Sequence, residues 1–127
     1  MSISYESHIY SGTHMICDIK KIENLELLND ISQLKELLDT ICEKNNYTIL
    51  QKTEHVFEPQ GCTILYMLSE SHISIHTFPE KEYIAFDLYT CRSYENEGLC
   101  PYLEIYDFLI EKLNAKREIP IILKRSF

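Results

Sequence analysis

The sequence lacks the cysteine spacing of a disulfide framework or a zinc site. It has five cysteines, an odd number, and no two of them are spaced as C-x-x-C: Cys17, Cys42, Cys62, Cys91 and Cys100. A stapled fold or a structural zinc site is therefore not expected. Free thiols are typical of a reducing compartment, so we expect the protein in the cytoplasm.

Positive charge and long apolar runs are also scarce. The net charge is −8 and no basic patch stands out, which argues against a nucleic-acid partner. No apolar stretch has the length of a transmembrane helix, and the N-terminus has no secretory signal pattern, so we expect no membrane partner. The 127 residues contain only three glycines and no linker-like segment, which predicts a single domain over residues 1–127.

Two neighbouring stretches alternate between apolar and polar residues. In residues 72–76, His72, Ser74 and His76 alternate with two isoleucines, which is the period of a half-buried strand. Residues 83–91 alternate in the same way and carry Asp87, Tyr89 and Cys91 on one face. If the two strands share a sheet, a hydroxyl, two imidazoles, a carboxylate and a thiol lie on one surface, with Ser71 at the entrance.

The remaining patterns predict the fold class. Strands are expected over residues 13–19, 47–57 and 63–69, and the last of these is almost wholly apolar, which favours a central position. A helix capped by Asp30 or Ser32 follows the first strand, and a second helix begins at Pro101. The expected helix faces are Ile31, Leu34, Leu37, Leu38, Ile41 and Cys42 for the first, and Leu103, Tyr106, Ile110 and Leu113 for the second. The order βαββββα(β) predicts an α+β fold, an antiparallel β-sheet with two main helices packed on one face.

The central stretch resembles the prokaryotic S-adenosylmethionine decarboxylase proenzymes, a pyruvoyl-dependent family, and the resemblance extends over roughly residues 10–115. The resembling blocks are Phe57-Glu58-Pro59-Gln60-Gly61-Cys62-Thr63, Glu70-Ser71-His72, His76-Thr77-Phe78-Pro79-Glu80, Asp87 with Thr90-Cys91, and, more weakly, Gly12-Thr13-His14 with Asp18. The resemblance implies an S-adenosylmethionine decarboxylase-like fold.

The resemblance also implies that the chain makes its own cofactor. In this family Ser71 would attack the carbonyl of Glu70, and the chain would separate into residues 1–70 (beta chain) and residues 71–127 (alpha chain). Ser71 would become a pyruvoyl group that forms a Schiff base with the substrate amine, so no external cofactor is needed. Without the resemblance, Ser71 would be read as an ordinary turn serine.

Further roles follow from the resemblance, position by position. His76 becomes the proton donor or acceptor of processing, Thr63 a hydroxyl that polarises the scissile carbonyl, and Cys91 the acid that protonates the product. Phe57, Phe78 and Glu80 become substrate contacts, two aromatic faces for an adenine and a carboxylate for ribose hydroxyls. Taken alone, these residues would be read as strand, core or turn residues.

His72 is expected only to orient the junction. Its spacing from His76 would suit a metal on a helix, but along a strand four residues span roughly 13 Å, too far for one ion. We therefore predict no metal.

Departures from the family pattern concern the substrate. Phe78 stands where the family usually has tryptophan, and Arg92 where it has glycine, so Arg92 would lie near the pocket. The predicted substrate is S-adenosylmethionine, with spermidine and polyamine synthesis as the pathway, and the predicted assembly is a homodimer of processed protomers. Three alternatives remain: a decarboxylase of free arginine or ornithine, a non-catalytic nucleoside-binding or regulatory paralogue, and a hydrolase that uses Ser71, His76 and Asp87.

Overall fold

A computed structural model describes residues 9–92 and 98–127. The strands are β1 (Tyr10–Ile19), β2 (Ile49–Val56), β3 (Cys62–Leu68), β4 (Ser71–Phe78), β5 (Tyr83–Thr90) and β6 (Ile121–Ser126), and the α-helices are α1 (Ile31–Lys44) and α2 (Cys100–Leu113). The strands form one sheet in the order β2-β3-β4-β5-β1-β6, and each neighbouring pair is antiparallel. Short 3₁₀ turns at Leu27–Asn29 and Pro79–Lys81 precede α1 and β5. The predicted α+β fold is confirmed.

Both helices cover the same face of the sheet. Alternate strand residues such as Ile75 of β4 and Phe86 of β5 are buried in one core with Leu38 of α1 and Leu109 of α2. Fully burying a side chain of this size contributes about 1.5–3 kcal/mol, so this layer supplies most of the drive to fold. No helix within the described residues is long and apolar enough to span a membrane.

The start of α1 follows the capping prediction. Asp30 has extended backbone geometry, and its side chain accepts a hydrogen bond from the Gln33 N–H at 3.1 Å. Hydrogen bonds from the Gln33 backbone and side chain lower the pKa of Asp30. The helix ends at Lys44, and Asn46 takes the left-handed conformation that lets the chain leave it.

The predicted buried face of α2 was right at Tyr106 and Leu113 and displaced by one residue at Leu103 and Ile110. Leu103 is 38% exposed, whereas Tyr102 is 2% exposed. The buried residues of this helix are Tyr102, Ile105, Tyr106, Leu109 and Leu113. Apolarity favoured the leucine, but the tyrosine is buried because its hydroxyl finds polar partners in the core, as described below.

The other side of the sheet, here called the open face, is formed by the strand residues that point away from the helices. They include His14, Thr63, Leu65, Met67, His72, Ser74, His76, Phe78, Asp87 and Tyr89. β3 has strand neighbours on both sides, as its apolar sequence predicted, yet Leu65 is 43% and Met67 53% exposed. Strong apolarity in β3 therefore extends to a face that this chain does not bury.

Gly12 lets β1 approach the end of β5 closely. Its φ is +155°, and a Cβ added there would lie 2.0 Å from the Thr90 carbonyl oxygen and 2.9 Å from the Cys91 Cα. Both contacts are to backbone, so no side-chain rotation relieves them. Only glycine allows this packing beside residues 90 and 91.

We expect Gly12→Ala to lower the free energy of unfolding by more than about 2 kcal/mol, because the backbones of β1 and β5 must separate. Gly98→Ala is the matched control. Gly98 also has positive φ, at +81°, but a Cβ there meets nothing within 4 Å. It should cost only about 1 kcal/mol, the strain of the left-handed conformation. Urea unfolding of the two variants gives the comparison, and equal losses would contradict the close-approach argument.

Candidate active site

The predicted polar surface is present on the open face. In the β4–β5 register, His72 lies opposite Tyr89 and Ser74 opposite Asp87. The Ser74 hydroxyl donates to the Asp87 carboxylate at 3.4 Å. His14 of β1 adds a third imidazole, whose Nε2 lies 3.4 Å from Asp87 Oδ1 without hydrogen-bonding geometry. The candidate residues form two separate groups, one at each end of β4.

The first group is at the turn between β3 and β4. Ser71 is the first residue of β4 and lies opposite Thr90, the last residue of β5. The Cys91 N–H donates a hydrogen bond of 3.2 Å to the Glu70 carbonyl oxygen. Glu70, Ser71 and Cys91, the junction cluster, therefore meet at one end of β4, as the resemblance requires.

Cys91 differs from the three buried cysteines. Its side chain is exposed, which argues against the reading of a small core residue. Burial raises the pKa of Cys17 to about 12 and of Cys42 to about 11, and it also raises the pKa of Cys62. Those three thiols stay protonated at neutral pH. Cys91 is exposed instead, and its backbone N–H contacts the Glu70 carbonyl.

The second group surrounds a cavity of about 350 Å³ at the other end of β4. Its volume falls within the range of small-molecule sites. Five predicted residues line it, namely Phe57, Thr63, His76, Phe78 and Glu80. Gln60, Cys62 and Thr77 complete the lining, and sequence reasoning did not select them. We call the five predicted residues the cavity cluster.

Strand register and ring packing build this cavity. Thr63 of β3 lies directly opposite His76 of β4, and the Thr63 Oγ1 is 2.9 Å from the His76 Nδ1. The hydroxyl thus fixes the orientation of the imidazole. Phe57 packs edge-on against His55 at 4.6 Å between ring centroids, and Phe78 is 5.6 Å from the Tyr83 ring.

A buried threonine supports the floor of the cavity. Thr77 Oγ1 accepts from the Cys62 N–H at 2.9 Å and donates to the Leu28 carbonyl at 2.9 Å. The hydroxyl therefore joins β3, β4 and the turn before α1. Thr77 continues the buried row of Ile73 and Ile75, and a polar residue at such a core position is the signal in the sequence that could have revealed this role.

The junction cluster and the cavity cluster do not meet within one chain. Ser71 and His76 are five residues apart on a regular strand, which separates them by roughly 16 Å. A general base must come within about 3 Å of the proton that it removes. The structure thus pairs Thr63 with His76 but does not bring His76 to Ser71.

The hydrolase alternative finds no support in this geometry. Asp87 faces Ser74 and His14 rather than His76, and Ser71 and His76 lie at opposite ends of β4. A catalytic triad needs all three side chains in hydrogen-bond contact. The predicted combination of Ser71, His76 and Asp87 is not assembled. Within residues 9–92 and 98–127 there is also no group of three or more His, Cys, Asp or Glu side chains arranged to hold a metal ion.

Arg92 does not reach the cavity, contrary to the sequence-based expectation. Its guanidinium donates to the Asn45 carbonyl at 2.8 Å and the Asn46 carbonyl at 3.1 Å, and it lies 5.0 Å from the Tyr47 ring centroid. The carbonyls at the end of a helix attract a cation, and this attraction draws the side chain away from the site. Residues 93–97, which include most of the predicted loop after Arg92, lie outside the described residues.

Comparisons with known proteins identify the family. A family model described as S-adenosylmethionine decarboxylase matches residues 13–126. The S-adenosylmethionine decarboxylase proenzyme of Brevibacillus brevis is 38% identical over 106 residues, 84% of this chain and 75% of that protein. That of Thermodesulfovibrio yellowstonii is 32% identical over 115 residues, 91% of this chain and 81% of that protein.

A solved structure gives the same result for the fold. The crystal structure of the adenosylmethionine decarboxylase from Aquifex aeolicus is similar with a TM-score of 0.79 and 27% identity, over 94% of this chain and 93% of that chain. The match extends over nearly the whole length of both chains. The chain therefore belongs to the S-adenosylmethionine decarboxylase family.

Proposed function

We propose that this chain is a self-processing, pyruvoyl-dependent decarboxylase that converts S-adenosylmethionine into its decarboxylated aminopropyl donor for spermidine and polyamine synthesis. The observation that carries the proposal is the hydrogen bond from the Cys91 N–H to the Glu70 carbonyl, immediately before a strand-opening serine. A donor already directed at this carbonyl oxygen stabilises the negative charge that develops there when a nucleophile adds.

The cleavage would proceed through an ester. The Ser71 hydroxyl oxygen adds to the Glu70 carbonyl carbon, the peptide C–N bond breaks, and the serine nitrogen takes a proton. Loss of the Ser71 α-proton then breaks the bond between the Ser71 Cβ and the ester oxygen. This elimination releases residues 1–70 with a new carboxylate at Glu70 and leaves dehydroalanine at position 71. Water hydrolyses its imine tautomer to ammonia and a pyruvoyl group. The net reaction consumes one water and releases one ammonia.

The two products would stay together because their strands are interleaved. β4 comes from residues 71–127 and pairs with β3 of residues 1–70, while β1 of residues 1–70 lies between β5 and β6. Cleavage therefore leaves these ladders, and the core beneath them, intact.

A second copy of the chain would complete the site. His76 and Thr63 are too far from Ser71 in one chain, and the open face that carries them also exposes Leu65, Met67 and Phe78. Two such faces packed together would bury this apolar surface and bring the cavity cluster of one copy to the junction cluster of the other. We therefore propose a homodimer with shared sites, in which His76 of the second copy transfers the proton during processing.

The proposed decarboxylation gives roles to the remaining candidate residues. The pyruvoyl group would supply the electron sink for loss of CO₂ from a substrate amine bound to it. Cys91 would then donate the proton that replaces the carboxyl group, since it is exposed and its backbone contacts Glu70, the residue before position 71. Phe57 and Phe78, 48% and 41% exposed, offer ring faces to a flat base, and Glu80 offers a carboxylate to sugar hydroxyls.

The cavity favours a nucleoside substrate over a free amino acid. Two accessible aromatic rings suit adenine and a nearby sulfonium cation. Arginine and ornithine have neither an adenine ring nor a sulfonium group. Arg92, which could have held a second carboxylate, is turned away. All five cysteines are free, which fits the cytoplasm as the proposed location.

We expect the purified protein to give fragments of residues 1–70 and 71–127 on a denaturing gel, and Ser71→Ala to remain a single band without activity. Ser69→Ala, two residues before Ser71 in the same turn, is the matched control and should still cleave. Mass spectrometry should find a pyruvoyl group at the start of the second fragment. Wild-type protein that stays intact and binds a nucleoside would instead support the non-catalytic alternative.

Shared sites predict that two inactive variants restore cleavage in each other's presence. Ser71→Ala and His76→Ala should each fail to cleave when expressed alone. Co-expressed with different tags, mixed dimers should contain one site with Ser71 from the His76→Ala chain and His76 from the Ser71→Ala chain. Only the His76→Ala chain should then be cut, up to about half of it for random pairing. No cleavage of either tagged chain would contradict the shared site.

Release of CO₂ from carboxyl-labelled substrates distinguishes the substrate classes. We expect release from S-adenosylmethionine and none from arginine or ornithine. Phe78→Ala should raise KM roughly tenfold, because loss of one stacking partner removes about 1 kcal/mol or somewhat more of binding. Release of CO₂ from an amino acid alone would overturn the proposed substrate but would leave the proposed self-cleavage unaffected.

A further inference from the structure

Residues 90–92, here called the Cys91 corner, are attached to both helices. The corner follows β5, and its middle residue supplies both the N–H on the Glu70 carbonyl and an exposed thiol. β1 packs against it through Gly12, whose missing Cβ leaves room for the Thr90 carbonyl. Polar contacts to α1 and α2 hold the residues on either side of Cys91.

The contact to α2 is a buried group of hydroxyls. The Tyr102 hydroxyl donates to the Arg92 carbonyl at 2.7 Å and lies 2.9 Å from the Thr90 Oγ1. The Thr90 hydroxyl is itself 3.0 Å from the Arg92 carbonyl. Tyr102 is 2% exposed and Thr90 is fully buried, so water does not compete for these bonds. One tyrosine thereby holds the residues immediately before and after Cys91.

The contact to α1 comes from the Arg92 side chain. Two guanidinium nitrogens donate to two successive carbonyls, those of Asn45 and Asn46, at the point where α1 ends. The guanidinium also lies over the Tyr47 ring. A forked donor that meets two carbonyls and a ring fixes direction as well as distance.

We propose that Tyr102 and Arg92 are positioning residues that hold the Cys91 corner, so that the Cys91 N–H stays on the Glu70 carbonyl and Cys91 stays close to the junction. This rests on the proposed function, because it is the self-cleavage and the later protonation that need this placement. Neither side chain touches the reacting atoms. Both act through the backbone of the corner.

The contribution of Tyr102 can be separated from its packing with a tyrosine on the same helix. Tyr106 is 3% exposed, and its hydroxyl accepts the Glu118 N–H at 2.7 Å, so Tyr106→Phe also removes one buried hydroxyl. We expect Tyr102→Phe to slow self-cleavage roughly 10- to 100-fold, as expected for a displacement of about 1 Å at the reacting groups. Tyr106→Phe should cleave at the wild-type rate. Equal rates for the two variants would overturn the role of Tyr102.

Arg92 has a matched control in Arg117. Its guanidinium also lies over a tyrosine, at 5.4 Å from the Tyr106 ring, and pairs with Asp107 away from the corner. Arg92→Ala should slow cleavage, Arg92→Lys should recover part of the rate because an ammonium reaches one carbonyl but not both, and Arg117→Ala should change nothing. Identical rates for Arg92→Ala and Arg117→Ala would overturn the role of Arg92.

A second measurement does not depend on cleavage. In full-length Ser71→Ala protein, hydrogen exchange of the Cys91 amide reports its bond to the Glu70 carbonyl. Adding Tyr102→Phe or Arg92→Ala should speed this exchange roughly tenfold, whereas Tyr106→Phe or Arg117→Ala should leave it unchanged. Failure of wild-type chain to cleave would refute the proposed function alone. Unchanged Cys91 exchange in both corner variants would refute the positioning role whether or not the chain cleaves.

Discussion

The spacing of residues along β4 is the constraint on which the rest of this site depends. An extended strand advances about 3.3 Å per residue and turns alternate side chains to opposite faces. Hydrogen bonds to β3 on one side and β5 on the other fix β4 in this form, so it cannot bend to bring its ends together. Ser71 and His76 therefore occupy two places, and each place acquires its own partners: Cys91 and Glu70 at one, Thr63 and the cavity at the other.

The open face gives this separation a physical consequence. A monomeric protein gains nothing by placing Leu65 and Met67 at 43% and 53% exposure beside a half-buried histidine and an accessible phenylalanine ring. A twofold arrangement of two sheets would bury those side chains. It would also bring together, from two copies, the groups that lie at opposite ends of β4 in one chain. The same surface would thus provide both the association energy and the missing catalytic neighbours, because apolar and polar residues of the same strands lie together on the open face.

Local patterns predicted much of the fold, and long-range contacts account for what was missed. Asp30 as a helix cap and the shared polar face of β4 and β5 depend on neighbours in sequence or on strand period, and both are confirmed. Tyr102, by contrast, was passed over for Leu103 because apolarity alone cannot show that a buried hydroxyl will find Thr90. The distance between Ser71 and His76 follows from the spacing itself, once β4 is taken as a single regular strand.

Arg92 shows how a departure from a family pattern can leave the site unchanged. A glycine-to-arginine difference beside Cys91 suggests altered substrate charge, since a cation there would repel a sulfonium group. The carbonyls at the end of α1 offer that cation a better position, because helix C-termini carry partial negative charge and the guanidinium matches two of them at once. The carbonyls thereby hold the guanidinium at the end of α1, outside the cavity. Phe78 is the departure that lines the cavity, and it keeps an aromatic face where the family usually has a larger one. Stacking needs the face rather than the indole nitrogen, so the residues that differ from the family pattern still point to the same class of ligand.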